Sequence, residues 1–278
     1  MISAPCRKIL LLACLAVPAG SPAKAAVSDW VGHDDRVRVR LLAAGIENGK
    51  LSAGIEIALS PGWKTYWRSP GDAGISPRID FSASQNVEAP DVAFPVPTRH
   101  SEGLAVINVY EDGVTLPVEA RIADPGKETV LVLSLDIGIF EDVCVPEHFD
   151  VTLTVPADAQ DAEAAALLEE ARAKLPGKSL PGTLAAEGVK RVGGTERKPV
   201  FEIGIVAPDP KKAEVFVEGP PDWSPAPPEL VSAEGGNAIF AVEFSRLGAK
   251  TPIGGNEFRV TIVTDERAVE QTVTLSGN

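Results

Sequence analysis

Apolar residues alternate with polar ones along most of this chain, and a period of two is the signature of strands with one buried face. Val37, Val39 and Leu41 interleave with Arg36, Arg38 and Arg40. Leu51, Ala53, Ile55, Ile57 and Leu59 repeat the pattern, and Asn48-Gly49 between the two runs predicts a hairpin turn. Phe149, Val151, Leu153 and Val155 alternate with Asp150, Thr152 and Thr154, while Val130 to Ile139 is more continuously apolar and reads as a central strand. Alternation resumes at Phe201-Ile203-Ile205 and Phe240-Val242-Phe244, and Phe258 to Leu275 reads as a terminal hairpin. Strands with one apolar face suit antiparallel sheets packed face to face. The expected fold is all-β, with two antiparallel β-sandwiches.

One segment breaks the period. Ala164, Leu167, Leu168, Ala171 and Leu175 recur at helical spacing, Asp158 or Asp161 offers a cap, and Pro176-Gly177 a stop. An amphipathic helix joining the sandwiches is expected here, followed by a Pro181-Gly182 linker. Gly219 to Pro228 reads as a stiff, proline-rich loop around Trp223. The expected division is 26–157 for the first sandwich, 158–185 for helix and linker, and 186–278 for the second.

Residues 1–25 read as a signal peptide. Arg7 and Lys8 precede the apolar run Ile9 to Val17, and Ala23-Lys24-Ala25 provides small residues for cleavage after Ala25. The run is too short for a bilayer span, which takes roughly 20 apolar residues. Leu11-Leu12-Ala13-Cys14 offers the alternative of a lipid-carrying Cys14, with a shorter apolar run before it. Cleavage after Ala25 removes Arg7, Lys8 and Lys24 and takes the formal charge from −13 to −16. Such a chain repels nucleic acid and anionic lipid. No later stretch has the length of a membrane span, so the expected location is the periplasm.

Cys6 and Cys14 leave with the signal, so Cys144 is the one cysteine of the mature chain. In an oxidising compartment it has no partner for an internal disulfide. The densest cluster of aromatics is Trp63, Tyr66 and Trp67, within Gly62-Trp63-Lys64-Thr65-Tyr66-Trp67-Arg68-Ser69-Pro70-Gly71-Asp72-Ala73-Gly74. Pro70 to Gly74 reads as a tight turn, with Asp72 bonding its own backbone. As a strand, the segment puts Trp63, Thr65 and Trp67 on one face. It then serves either as core or as an aromatic surface that receives a partner.

This run resembles the Gly-Trp-His-Thr-Tyr-Trp-Arg-Asn-Pro-Gly-Asp-Ala-Gly stretch of DsbD- and ScsB-type proteins. Three further blocks follow in the same order. Phe94-Pro95-Val96-Pro97-Thr98-Arg99 is similar to the family's Trp-Pro-Ala-Pro-x-Arg. Tyr110 to Val118 is similar to Tyr-x-Gly-x-Val-x-Leu-Pro-Val. Glu141-Asp142-Val143-Cys144-Val145-Pro146-Glu147 is similar to Cys-Lys-Asp-Val-Cys-Ile-Pro-Glu. The resemblance covers about residues 35–155. Beyond it only Val217-Glu218-Gly219-Pro220 and Trp223 are similar. It implies immunoglobulin-like sandwiches in the bacterial envelope that exchange electrons with a membrane reductase and periplasmic redox proteins, or that support copper tolerance. It implies a partner-facing role for Trp63, Tyr66, Trp67, Arg68, Asp72 and Tyr110.

The chemistry of that family needs two cysteines, one attacking a disulfide and one resolving the mixed product. Here Cys144 matches the second and Phe140 stands at the first. A complete dithiol cycle within one molecule is excluded, and so is autonomous catalysis of that kind. Three readings of Cys144 remain. It is an inert buried residue packed on Phe140, with the chain a structural β-scaffold. Or it is a single thiol that forms mixed disulfides with a partner or a disulfide-linked dimer, although Glu141, Asp142 and Glu147 are not the basic neighbours that activate a thiolate. Or, with His148 and His100, it is a copper ligand. The expected cofactor is none, with copper the alternative. Met1 is the only methionine, so methionine-rich copper motifs are absent.

Overall fold

In the computed structural model, residues 26–275 other than Leu104 are described. The signal peptide, its cut after Ala25 and the Cys14 alternative lie outside the described residues. The first sandwich uses β1 (Val31–His33), β2 (Val37–Glu47), β3 (Lys50–Leu59), β4 (Lys64–Gly71), β5 (Arg78–Asp80), β6 (Val87–Val92), β7 (Thr98–Glu102), β8 (Ala105–Glu111), β9 (Gly113–Ile122), β10 (Thr129–Phe140) and β11 (Cys144–Val155). One sheet runs β1-β2-β3-β9-β6 and the other β11-β10-β4-β8-β7, with β5 added on β10. The alternation observed in sequence supplies the core: Val39, Leu41, Ile55, Ile57 and Val118 of one sheet face Leu131, Leu133, Leu135 and Val151 of the other. Asn48 and Gly49 both have positive φ, at 52° and 73°, and close the β2–β3 hairpin as a two-residue turn.

Helix α1 (Ala162–Ala173) starts at Asp161, whose Oδ1 accepts from the Ala164 N–H at 2.9 Å. It does not bridge two domains as a free connector. Leu168 and Ala164 bury with Leu42 against the outer face of the first sheet. The approach is close at Gly54, where a Cβ would stand 2.6 Å from Leu168 Cδ2.

The second sandwich uses β12 (Gly177–Lys178), β13 (Ala185–Gly194), β14 (Pro199–Val206), β15 (Glu214–Glu218), β16 (Ser224–Pro225), β17 (Glu229–Glu234), β18 (Asn237–Ser245), β19 (Glu257–Val263) and β20 (Ala268–Thr274). Its sheets run β12-β20-β19-β15 and β13-β14-β18-β16, with β17 also on β18. Phe201, Trp223, Phe244 and Phe258 pack ring to ring at its centre, with centroids 5.0–6.1 Å apart. Two expectations change. The β12–β20 pair is parallel, and the stretch after Pro176 is held to the sheet by it. The proline-rich loop contains β16, paired to β18. No helix among the described residues is long and apolar enough to cross a membrane.

Candidate functional site

Strands β10 and β11 form one long hairpin, paired from Thr129↔Val155 to Phe140↔Cys144 and closed by Glu141-Asp142-Val143. Odd-numbered residues of both strands turn into the core, so Phe140 and Cys144 point outward from the tip. Cys144 is exposed, and Val143 beside it is 71% exposed. The reading of Cys144 as an inert buried residue is therefore corrected: the closing turn leaves nothing to pack over it. Phe140 is 3% exposed. It stacks on Tyr66 with centroids 4.9 Å apart, His100 lies 6.3 Å away and Lys64 Nζ sits 5.6 Å over the ring. Tyr66, Ile107, Val109 and Phe140 make a small apolar cluster of their own on the outside of the sheet. A packed ring thus stands directly across from Cys144.

The aromatic segment Trp63 to Trp67 does not form an exposed surface. Trp63 is half-buried on the first core, and Trp67 is buried in it. Thr65 Oγ1 donates to the Gly138 carbonyl at 2.9 Å. Pro70 and Gly71 continue the strand as a wide bulge, the six residues of β4 from Tyr66 to Gly71 lying beside Val109 to Ile107, where a tight turn was expected. Asp72 ties this bulge to β8 by accepting from the Val106 N–H at 3.1 Å. The Tyr110 hydroxyl donates to the Pro95 carbonyl at 2.7 Å, and burial holds this phenol well above the ordinary value of 10.0, against the opposing pull of Arg68.

Arg68 faces the second sandwich. Its Nε donates to Glu218 at 3.0 and 3.1 Å, its Nη2 donates to Glu218 at 2.7 Å, and Nη2 also meets Glu270. Burial acts to lower its pKa, but the two glutamates outweigh burial and raise it. From β15, Phe216 enters the first core and meets Trp67 edge-on at 5.6 Å. Arg99 covers Phe216 at 4.7 Å and donates to the Val215 carbonyl at 2.8 Å. The family-like run from Trp67 to Arg68 is therefore the seam between the two sandwiches, and the partner it receives is within the chain. Sequence reasoning missed Arg99, Phe216, Glu218 and Glu270 as its other half. Arg99 and Glu218 lay in the quoted blocks, but nothing in their spacing joins them.

Of the proposed copper ligands, His148 is carried away from Cys144 by the strand. His148 lies four residues along the same extended strand, about 13 Å away, whereas metal–ligand bonds are roughly 2 Å. Its Nδ1 is 2.7 Å from Asp136 and its Nε2 3.3 Å from Asp150; these hydrogen bonds raise its pKa above 6.5. His100 Nδ1 is 3.5 Å from Glu111. Among the described residues no group of three or more His, Cys, Asp or Glu is arranged to hold a metal ion.

Residues 35–156 match the family described as "Thiol:disulfide interchange protein DsbD, N-terminal". No curated protein matches the chain. Among solved structures, the chain is similar to the N-terminal periplasmic domain of ScsB from Proteus mirabilis. The TM-score is 0.72 at 22% identity, over 92% of this chain and 100% of that one. At that identity the likeness concerns the fold, and it extends over both sandwiches. The four sequence blocks, the β-sandwich and the hairpin bearing Cys144 agree with these matches: over residues 35–156 the chain is a DsbD/ScsB-type N-terminal domain, of a thiol–disulfide interchange family.

Proposed function

We propose that this chain is a periplasmic accessory of thiol–disulfide interchange that works through one thiol, Cys144. The observation that carries this reading is the exposure of Cys144 at the hairpin tip, directly across from Phe140. A Cys144 thiolate attacks a disulfide of a redox partner, the S–S bond breaks, and the departing sulfur leaves with the electron pair. The product is a mixed disulfide between the two proteins. Phe140 offers no sulfur to resolve it, so a thiol of the partner or a third molecule completes the exchange. The chain then holds and hands on a partner; it does not cycle alone.

The test is alkylation of the native chain by iodoacetamide, compared with the same chain in denaturant and with Cys144→Ser. Labelling at comparable rates in the two states supports the reading, and disulfide-linked partners then accumulate on the wild-type chain alone. A thiol that labels only after denaturation refutes it and leaves a structural scaffold.

A further inference from the structure

On the outer face of the β11-β10 sheet, a cleft of about 620 Å³ begins one step from Cys144. Cys144, Pro146 and His148 project from the same face of β11, so Pro146 is about 7 Å from Cys144 along the strand. Opposite them stand Phe140, Gly138 and Asp136 of β10, and Arg78 of β5 pairs with Asp136. Pro146, Asp136, His148 and Arg78 line the cleft. Gly138 lets Ile75 and the Tyr66 ring settle onto β10 beside the cleft: a Cβ there would stand 2.9 Å from both. The far wall is Ile75 and Ser76 with Pro221 of the second sandwich.

The lining selects its occupant. Arg78 and His148 stand against Asp136, and Glu147 is already held by Arg36 at 3.1 Å. The two signs offset each other, unlike the −13 of the whole chain. The lining residue one outward step from Cys144 is the apolar Pro146, and Ile75 and Pro221 add apolar surface to the same cleft. A mixed, shaped volume of this size is on the scale of ligand sites. It is larger than an exchange with a small thiol requires.

We propose that this cleft seats an extended, uncharged segment of the partner polypeptide, with an apolar residue two positions from its cysteine, and so aligns that cysteine with Cys144. The inference rests on the thiol-exchange reading and adds the partner's local chemistry to it. The apolar residue lies on Pro146 and Ile75, and the next outward residue reaches Arg78 and His148.

Two neutral probes separate the parts. One is dithiodipyridine. The other is the peptide Gly-Ser-Cys-Ser-Leu-Ser-Gly with its cysteine carried as a pyridyl disulfide. With either, Cys144 attacks the disulfide and thiopyridone leaves, followed by its absorbance; the Cys144→Ser chain releases none. Ser76 is exposed and lines the cleft, so Ser76→Arg narrows it from the solvent side. Ser76→Arg is expected to slow the peptide reaction about tenfold, the equivalent of roughly 1.4 kcal/mol, and to leave the dithiodipyridine rate unchanged. Replacing the peptide's leucine by lysine is expected to slow the wild-type reaction and to abolish its sensitivity to Ser76→Arg. Equal effects on both probes, or none on either, overturn the cleft while leaving thiol exchange intact. A chain silent toward both probes overturns the exchange reading and the cleft with it.

Discussion

Phe140→Cys places a second thiol directly across from Cys144, and its consequences follow from the hairpin register. Cross-strand partners have Cα atoms about 4.5 or 5.5 Å apart, and a disulfide spans about 4.4–6.8 Å. The bond then closes over Glu141-Asp142-Val143 without a backbone shift. Closing so short a loop removes unfolded-state entropy equivalent to about 2 kcal/mol. The lost ring opposes this gain. Phe140 is 3% exposed and stacked on Tyr66. Its cluster holds only three other buried residues, so its removal costs about 3 kcal/mol, the low end for a phenylalanine truncation. The reduced variant is expected to unfold about 3 kcal/mol more easily than the wild type, and the oxidised variant to recover about 2 kcal/mol of that. Urea unfolding with and without reductant measures both, and loss of two hydrogens by mass reports the bond. Two thiols that stay alkylatable after oxidation of the folded chain would show that the tip register is wrong. Wild-type stability in the reduced variant would show that the ring does not hold the tip.

Other outcomes follow from the same contacts. Arg68→Ala leaves the half-buried Glu218 without its cation and Glu270 with only Arg259 at 3.7 Å; a loss of about 2–4 kcal/mol is expected, with calorimetric unfolding splitting into two transitions. An unchanged single transition counts against the clamp. Burial raises the Tyr110 pKa, so its native state keeps a proton that the unfolded chain gives up from about pH 10. Its contribution is complete below that pH and lost as pH rises further, and Tyr110→Phe should flatten this alkaline loss in pH-dependent urea midpoints. The His148 pKa is raised by Asp136 and then Asp150, so its imidazole titrates above 6.5 by NMR and Asp136→Asn lowers the midpoint; no change refutes the pairing. Leu168→Ala removes the side chain that seats α1 on the sheet and is expected to cost about 2–4 kcal/mol in chemical denaturation.

What the sequence made legible is what neighbours in the chain decide. The alternation at Val37 to Leu41 and Phe149 to Val155, the Asn48-Gly49 turn and the Asp161 cap are all encoded within a few residues, and each appears in the structure. The nearness of Phe140 to Cys144 was equally local, because both lie on one hairpin. The rest depended on distant partners. Nothing local says that Arg68 meets residues 150 and 202 positions away, or that Trp67 is covered by Phe216. Without those partners a tryptophan–arginine pair reads as surface. The Cys144–His148 spacing misled for the opposite reason: four residues bring side chains together on a helix, but on a strand they carry them apart.

Phe216 also changes what counts as the first module. The family match ends at residue 156, yet the interior it defines is finished by a ring from β15, and the outer face of its first sheet is covered by α1, both later in the chain. A fragment cut at that boundary would bare Trp67 at one side and Leu42 at the other, two apolar surfaces with nothing to cover them. It is expected to aggregate where the longer chain does not. The stretch that the family match covers and the stretch that folds as one are here different lengths of the same polypeptide.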